Sequence, residues 1–153
     1  SKSFNVTGAR ISFLVGRRDV VAAFKKLRGQ IDFGMFLPVQ KAAIAALTGP
    51  LDMVKKQCGL YQQRRDALCG GLRAIGWNVP DSHGSMFVWA LIPAKYKKSM
   101  DFCLDLVEKS GVLCTPGSSF GPLGEGYVRF ALTLPPERIA EAVQSIKESG
   151  ILN

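Results

Sequence analysis

From Leu51 to Ile75 the apolar residues recur three and four positions apart, which leaves little choice of local structure. Only Arg65 interrupts the set, whose members are Leu51, Val54, Cys58, Tyr61, Leu68, Leu72 and Ile75. The spacing predicts one amphipathic helix of about 25 residues, near 37 Å at 1.5 Å per residue. Glycines inside it each cost roughly 1 kcal/mol relative to alanine. A kink or an early end at Gly70 is therefore an open alternative.

Two shorter helices and one strand are predicted ahead of this long helix. Arg18 to Leu27 carries its apolar residues on one side, which is typical of a helix. Pro38 is tolerated in a first turn, and the alanine-rich stretch that follows predicts a second helix that stops at Gly49. Ile11 to Gly16 is a short apolar run ending in glycine, which predicts a strand.

The remainder alternates short apolar runs with helical periodicity. Ser85 to Ile92 is apolar on both alternating faces, which predicts a strand covered on both sides. The other predicted elements are a helix over 99–109, strands over 112–115 and 127–132, a glycine-rich loop over 116–126, and a last helix that opens after 133. The order strand-helix-strand-strand-helix predicts an α/β small domain, with a small mixed or antiparallel sheet and helices on one of its faces.

Composition restricts the class of protein. Hydrophobic residues make up 47% of the 153 residues and charged residues 21%, which is ordinary for a soluble globular protein. The net charge is +8, yet the basic residues come as scattered pairs such as Arg17-Arg18 and Lys97-Lys98. Nucleic-acid binding favours a continuous basic stripe interleaved with aromatic residues. We therefore expect no nucleic-acid partner.

No apolar run approaches the roughly 20 residues that a membrane span needs, so no membrane partner is expected. The four cysteines form no C-x-x-C pair and have no histidine at metal-binding spacing. This pattern favours reduced thiols in a cytoplasmic protein and predicts no metal site. Because Ser1 stands where translation would place Met, we expect the chain to be a piece of a longer protein.

Lys2, Asn5, Gly8 and Arg10 form a constellation directly ahead of the predicted strand. A lysine beside serines is usually only solvated, but this spacing resembles the lysine signature of the class I/II aminotransferases, the fold-type-I enzymes similar to aspartate aminotransferase. The resemblance implies that Lys2 forms a Schiff base with the aldehyde of pyridoxal 5'-phosphate (PLP) and is the catalytic residue. It also implies that Arg10 binds the cofactor phosphate, for which a planar guanidinium is well suited. The chain departs from the family pattern at Ser12, where a smaller residue is usual.

Arg129 lies in the middle of the predicted strand over 127–132. The alternation places it on the face opposite Val128 and Phe130. A charge inside an apolar strand is costly without an anionic partner, which leaves a structural ion pair and a ligand site as alternatives. The stretch resembles the late family strand whose arginine clamps the α-carboxylate of the amino-acid substrate. The resemblance thus implies that Arg129 binds substrate.

Three further segments resemble the same family. The run from His83 to Trp89 is similar to its glycine-small-aromatic-x-tryptophan strand, and Pro116 to Gly121 is similar to a loop at the substrate mouth. Gln30 to Phe36 resembles a segment that reaches toward the partner subunit. His83 is the one histidine, and we expect it to be an exposed turn residue, because no partners for a catalytic triad stand nearby.

The resemblance covers the whole chain and implies an amino-group transfer between an amino acid and a 2-oxo acid. Residues 1–48 would be the C-terminal edge of the large PLP-binding domain, and residues 49–153 the linking helix and small domain. The full protein would be a homodimer, and the piece alone would be inactive. Two alternatives stay open: a PLP-dependent C–S lyase of the same fold, and a non-catalytic, aminotransferase-like regulatory or binding domain.

Overall fold

A computed structural model describes residues 2–153 of the chain. The chain divides into two compact units, one up to Gln57 and the other Cys58–Asn153. The two units are described separately below. The boundary falls within one long helix, α3, which runs Asp52–Ala74.

The first unit consists of turns and helices. A short 3-10 turn, Thr7–Ala9, precedes helix α1, Arg18–Ile31, and helix α2, Leu37–Thr48. Proline in the first turn and Gly49 after the last residue bound α2, as the sequence predicts. Helix α1 extends past the predicted end at Leu27, because the i,i+4 pair Arg28–Asp32 holds its last turn.

The strand predicted over 11–16 is wrong for the described part of the chain. Residues 10–15 are assigned to no helix or strand, and the first unit contains no strand among residues 2–57. Apolar content alone cannot make a strand, since a strand needs a neighbour to accept and donate its backbone hydrogen bonds.

The second unit is built on a three-stranded antiparallel sheet. Its strands are β1, Phe87–Leu91, β2, Thr115–Pro116, and β3, Tyr127–Ala131, in the spatial order β1-β3-β2. In the register of β1 and β3, Trp89 lies opposite Arg129. The sequence left a mixed or an antiparallel sheet open, and the structure has the antiparallel form.

Helices α4, Ser99–Ser110, and α5, Pro136–Glu148, complete the second unit. The buried face of the sheet carries Val88, Ala90, Val128 and Phe130. The helical and loop residues of the same core include Leu68, Leu72, Trp77, Phe102, Leu106, Ile139 and Ile146. One face of the sheet is therefore covered by helices, as predicted.

The other face corrects a prediction. The sequence indicated that the first strand of this sheet is covered on both sides, but Trp89 and Leu91 are exposed while their neighbours are buried. On this face the Trp89 ring instead contacts the rings of Tyr127 on β3 and Phe120 in the loop after β2. Although both faces of β1 carry apolar residues, one face packs into the core and the other, which carries Trp89, is exposed.

Helix α3 passes through Gly70 and Gly71 without a break, so the early end at Gly70 that the sequence left open does not occur. Its second half explains this. Leu68 and Leu72 are buried in the core, and Arg64 donates from Nη1 to the carbonyl of Leu132 at 3.0 Å. Packing of this kind outweighs the helix propensity lost at two glycines.

Candidate functional site

The segment that carries Lys2 and Arg10 is a pair of tight turns. The Asn5 N–H donates to the Lys2 carbonyl at 3.2 Å. Arg10 ends the following 3-10 turn with φ 51° and ψ 48°, in the left-handed region. A residue with a side chain adopts this conformation at a cost of about 1–2 kcal/mol, and such residues concentrate at functional sites. Both Lys2 and Arg10 are exposed.

The Arg10 guanidinium is open to a ligand. Its one protein hydrogen bond in the described residues runs from Nη1 to the Thr7 carbonyl, at the long distance of 3.5 Å. Within residues 2–153 no carboxylate lies within 4.0 Å of it. It borders a groove whose other wall comes from α1, with Val21, Phe24 and Lys25. Asp32 also lines this groove but is paired with Arg28, so the Arg10 guanidinium keeps its edge available for an anion.

Arg129 lies on the exposed face of the sheet, as its alternation predicts. Its guanidinium carbon is 4.0 Å from the centre of the Phe87 ring and 4.1 Å from the centre of the Phe120 ring. Both distances are well inside the roughly 6 Å range of cation–π attraction. The side chain is half-buried between aromatic rings rather than paired with an acid.

The structural ion pair considered for Arg129 is absent from the described part of the chain. Seven ion pairs occur there, and none includes this residue. Its edge N–H groups make no hydrogen bond to the protein among residues 2–153 either. An arginine held in this way has unused donors for an anionic ligand.

The loop that supplies Phe120 is tied to the start of α4. Glu125 Oε1 accepts the backbone N–H of Ser99 at 2.6 Å and that of Gly126 at 2.8 Å. The Ser99 hydroxyl lies 3.1 Å from the Ser118 hydroxyl and is fully buried. The two N–H donors, Ser99 first, hold the pKa of Glu125 below its ordinary value.

Two glycines let this loop fold back on itself. A Cβ atom on Gly117 would come within 2.0 Å of the Gly124 carbonyl oxygen, and one on Gly124 would come within 2.1 Å of the Gly117 carbonyl oxygen. Neither position leaves room for a side chain. The loop predicted as glycine-rich is therefore two 3-10 turns in close backbone contact, Gly117–Phe120 and Pro122–Gly124.

The cysteines offer little nucleophilic chemistry. Cys103 Sγ lies 3.3 Å from Cys114 Sγ, and both thiols are free and buried. Burial raises the pKa of Cys103, Cys114 and Cys69. Because the thiolate is the nucleophile, these three residues are poor candidates for covalent catalysis. Cys58 is the exposed thiol.

His83 is exposed, as predicted. It lies at a shallow surface depression with Arg65, Arg73 and Asp81. The Arg73–Asp81 ion pair lowers the pKa of Asp81. Arg65 also donates to the backbone carbonyl of Ser82, and Arg73 donates to that of Val79. These bonds close the turn after α3, so the cluster is structural.

Two findings concern classes of site that the sequence did not predict. Within residues 2–153 no group of three or more histidine, cysteine, aspartate or glutamate side chains is arranged to hold a metal ion. No helix of that part of the chain combines the length and the apolar character that crossing a membrane requires.

The predicted site residues divide between the two units. Lys2 and Arg10 lie in the first unit and Arg129 in the second, where Phe87 and Phe120 surround it. Sequence reasoning did not assign these two phenylalanines to the site. The sequence gives only a weak indication of their role. Phe87 is distinguished from the buried Val88 only by the alternation of the strand. Phe120 lies in a loop whose path depends on contacts between glycines.

Comparison with known proteins gives consistent matches over almost the full chain. The profile of the family described as Aminotransferase class I and II matches residues 1–146. The LL-diaminopimelate aminotransferase of Halothermothrix orenii is 46% identical over 151 residues, which make up 99% of this chain and 39% of that protein.

Two solved structures share the fold. The chain resembles apo-BacF from Bacillus subtilis with a TM-score of 0.91 and 32% identity, over 96% of this chain and 40% of that one. It resembles a probable N-succinyldiaminopimelate aminotransferase from Thermus thermophilus with a TM-score of 0.86 and 32% identity, over 97% of this chain and 39% of that one. The chain thus spans well under half the length of each of these proteins.

Proposed function

Because the chain belongs to the class I and II aminotransferase family, we propose that it is part of an enzyme that moves an amino group between an amino acid and a 2-oxo acid. The family is PLP-dependent, so PLP is the proposed cofactor. When bound, PLP supplies an electron sink for the bonds at the substrate Cα. The residues of this chain supply binding, orientation and proton transfer.

The state of Arg129 is the observation that carries the proposal. A half-buried guanidinium with unused edge donors and no acid within 4.0 Å among the described residues is suited to a carboxylate ligand. Amino acids and 2-oxo acids share an α-carboxylate, so one arginine can serve both halves of the transfer. We propose that Arg129 grips this group and thereby orients the Cα–H bond.

Lys2 and Arg10 fit the cofactor by their chemistry. Lys2 offers an exposed amine and Arg10 an exposed guanidinium, eight residues apart on one pair of turns. We propose that Lys2 holds the cofactor aldehyde and that Arg10 binds the cofactor phosphate. During turnover the freed amine of Lys2 would carry the proton from the substrate Cα.

We propose LL-diaminopimelate as the first amino donor to assay, since the Halothermothrix relative carries that name at 46% identity. As the acceptor, 2-oxoglutarate is a convenient 2-oxo acid with an α-carboxylate. A lyase of the same fold would release a 2-oxo acid without any acceptor, so omitting the acceptor separates the two reactions.

The organisation of the whole protein is also a proposal. We propose that residues 1–48 form the C-terminal edge of the large cofactor-binding domain and residues 49–153 the linking helix and small domain. A homodimer is proposed because α1 and α2 expose many apolar side chains, and exposed apolar surface is typical of contact surfaces. A cytoplasmic location is proposed because all four cysteines are free thiols.

The test uses the full open reading frame that encodes this chain. Purified protein with added PLP should retain a visible absorbance band after dialysis and transfer an amino group from LL-diaminopimelate to 2-oxoglutarate. Lys2→Ala should lose both the band and the activity, because no amine remains to hold the aldehyde. Arg129→Lys should keep the band and lose most of the activity, because a lysine cannot form the bidentate pair.

Lys26→Ala is the matched control for Lys2→Ala, since it removes an exposed lysine from α1. It should change neither the band nor the rate. Retention of full activity in Lys2→Ala would reject the proposal. So would a band that survives dialysis in that variant, because it would place the cofactor elsewhere.

A further inference from the structure

We propose that Phe87 and Phe120 are positioning residues, which hold the Arg129 guanidinium in one plane so that only its edge meets the substrate carboxylate. This inference rests on the proposed function and assigns two residues that the family resemblance did not single out. It concerns affinity for the α-carboxylate rather than the chemical step.

The geometry places the guanidinium between the two rings. Its central carbon is 4.0 Å from one ring centre and 4.1 Å from the other. Phe87 comes from β1, where it pairs with Ala131, one diagonal step from Arg129. Phe120 comes from the loop after β2. The two rings do not pair with each other among the described aromatic contacts, as expected if the guanidinium separates them.

This arrangement decides which donors remain available. A guanidinium has two flat faces and an edge that carries its five N–H groups. With ring centres 4.0 Å and 4.1 Å from the guanidinium carbon, rings stacked on its two faces would exclude water and ligands from those directions. A carboxylate is also planar, and its two oxygens match two parallel N–H groups in the plane of the guanidinium. The ring pair therefore preselects the approach that a bidentate contact needs.

The Phe120 ring is itself held in place. Its centre lies 5.3 Å from that of Trp89 in an edge-to-face contact. Its loop is fixed by the hydrogen bonds of Glu125 and by the close approach of Gly117 and Gly124. The backbone of Phe87 is held on β1 by its pairing with Ala131 on β3. Arg129 thus loses less conformational entropy when a ligand binds than a free arginine would.

The test measures binding and turnover separately in the full-length protein. Phe120→Leu keeps an apolar side chain of similar size but removes the ring. We expect it to raise the Kd for 2-oxoglutarate, and the KM of both substrates, by about 3- to 30-fold, a range typical of one partly buried cation–π contact. The kcat should change by less than about twofold, because uniform binding is lost.

A purely structural role for Phe120 would not raise the Kd and the KM while leaving the kcat nearly unchanged. Phe120→Tyr keeps a ring and should restore both the Kd and the KM. Leu123→Ala removes a fully exposed apolar side chain from the same loop and is the matched control. It should leave both constants unchanged. An amine that lacks the α-carboxylate should react equally with the parent protein and with Phe120→Leu.

Phe87→Leu tests the second ring and guards against misfolding of a single variant. Because either ring alone leaves the guanidinium free to tilt, the double variant should raise the Kd by less than the product of the two single effects. Unchanged Kd values in both single variants would overturn the inference.

Failure of the inference differs from failure of the proposed function. If amino transfer is observed but Phe120→Leu binds 2-oxoglutarate normally, the function stands and the positioning role is wrong. If no amino transfer is observed but Phe120→Leu still weakens 2-oxoglutarate binding, the positioning role stands and the proposed aminotransferase activity is wrong. A parent protein that binds no 2-oxoglutarate overturns the inference as well.

Discussion

The two units of this chain use apolar residues in opposite ways. Every fully buried apolar side chain lies between Leu68 and Ile151, in the second unit. The described residues of the first unit include none, although α1 and α2 carry many apolar side chains. Helical periodicity is as clear in α1 of the first unit as in α5 of the second, so periodicity predicts a helix but does not predict that the helix packs into a core.

The large aromatic side chains of the two units also differ in their contacts. In the second unit, Phe102 is fully buried and packs edge-to-face against Trp77 at 5.3 Å and Tyr96 at 5.1 Å. In the first unit, Phe33 is fully exposed. A pair of identical substitutions can therefore test the comparison directly.

We expect Phe102→Ala to lower the free energy of unfolding by about 3–5 kcal/mol, because it leaves a cavity in the core. Phe33→Ala should change it by less than about 0.5 kcal/mol. Urea unfolding followed by tryptophan fluorescence measures the first effect, since Trp77 and Trp89 lie in the second unit, and far-ultraviolet circular dichroism measures the second. Similar effects from the two substitutions would break the comparison.

Glycines give a second matched pair with effects of opposite sign. Gly117→Ala should destabilise the second unit by about 1–3 kcal/mol, since its Cβ would meet two backbone oxygens within 2.7 Å. Gly29→Ala lies in α1 with open space around it. It should stabilise that helix by up to about 1 kcal/mol. Fluorescence should report the first change, and the far-ultraviolet circular dichroism melt the second.

The Glu125 carboxylate predicts a pH dependence confined to the second unit. Its pKa is lowered in the folded chain from an ordinary value of 4.5, first by the Ser99 N–H and then by the Gly126 N–H. The contribution of the Glu125 carboxylate to the free energy of unfolding is therefore complete above pH 4.5, and it is lost as the pH falls through the pKa of the folded chain. The parent should be more stable than Glu125→Gln at neutral pH, and the difference should shrink as the pH falls below the ordinary carboxyl pKa.

The measurement for Glu125 is urea unfolding by tryptophan fluorescence at a series of pH values. Glu148→Gln at the end of α5 is the control, since its carboxylate makes no contact with a backbone N–H. A difference between parent and Glu125→Gln that grows as the pH falls would contradict the capping role.

The smallest effect belongs to an exposed ion pair in the first unit. Lys55 Nζ lies 4.0 Å from Asp52 Oδ1, and both side chains are largely exposed. Lys55→Ala should change the free energy of unfolding by at most about 0.5 kcal/mol. Circular dichroism melts at low and high salt check this. A larger, salt-sensitive loss would mean that surface charge, rather than packing, holds the first unit together.

Much of the second unit was predictable from its residues. The alternation of Tyr127 to Leu132 placed Arg129 on the face away from the core, and the structure agrees. The long helix was also predicted, to within a residue or two at its ends. These features depend on local periodicity, which a sequence displays directly.

What escaped prediction depends on contacts between distant residues. The stacking of Phe120 on Arg129 requires a loop path set by Gly117 and Gly124, and no local pattern encodes that path. The exposure of Trp89 depends on which elements cover the sheet. The strand expected over 11–16 failed for a related reason, because strand formation depends on a partner and not on the run itself.

Gly71 gives this fold a practical limit for protein engineering. A Cβ at this position would come within 3.0 Å of a Val143 methyl group on α5, so the bare backbone is what lets α3 and α5 approach so closely. Replacing glycines with alanine is a common route to more stable helices. In α3 that route is open at Gly59 and Gly70, which face free space, whereas a methyl group at Gly71 would require the buried Val143 side chain to shift by a few tenths of an ångström.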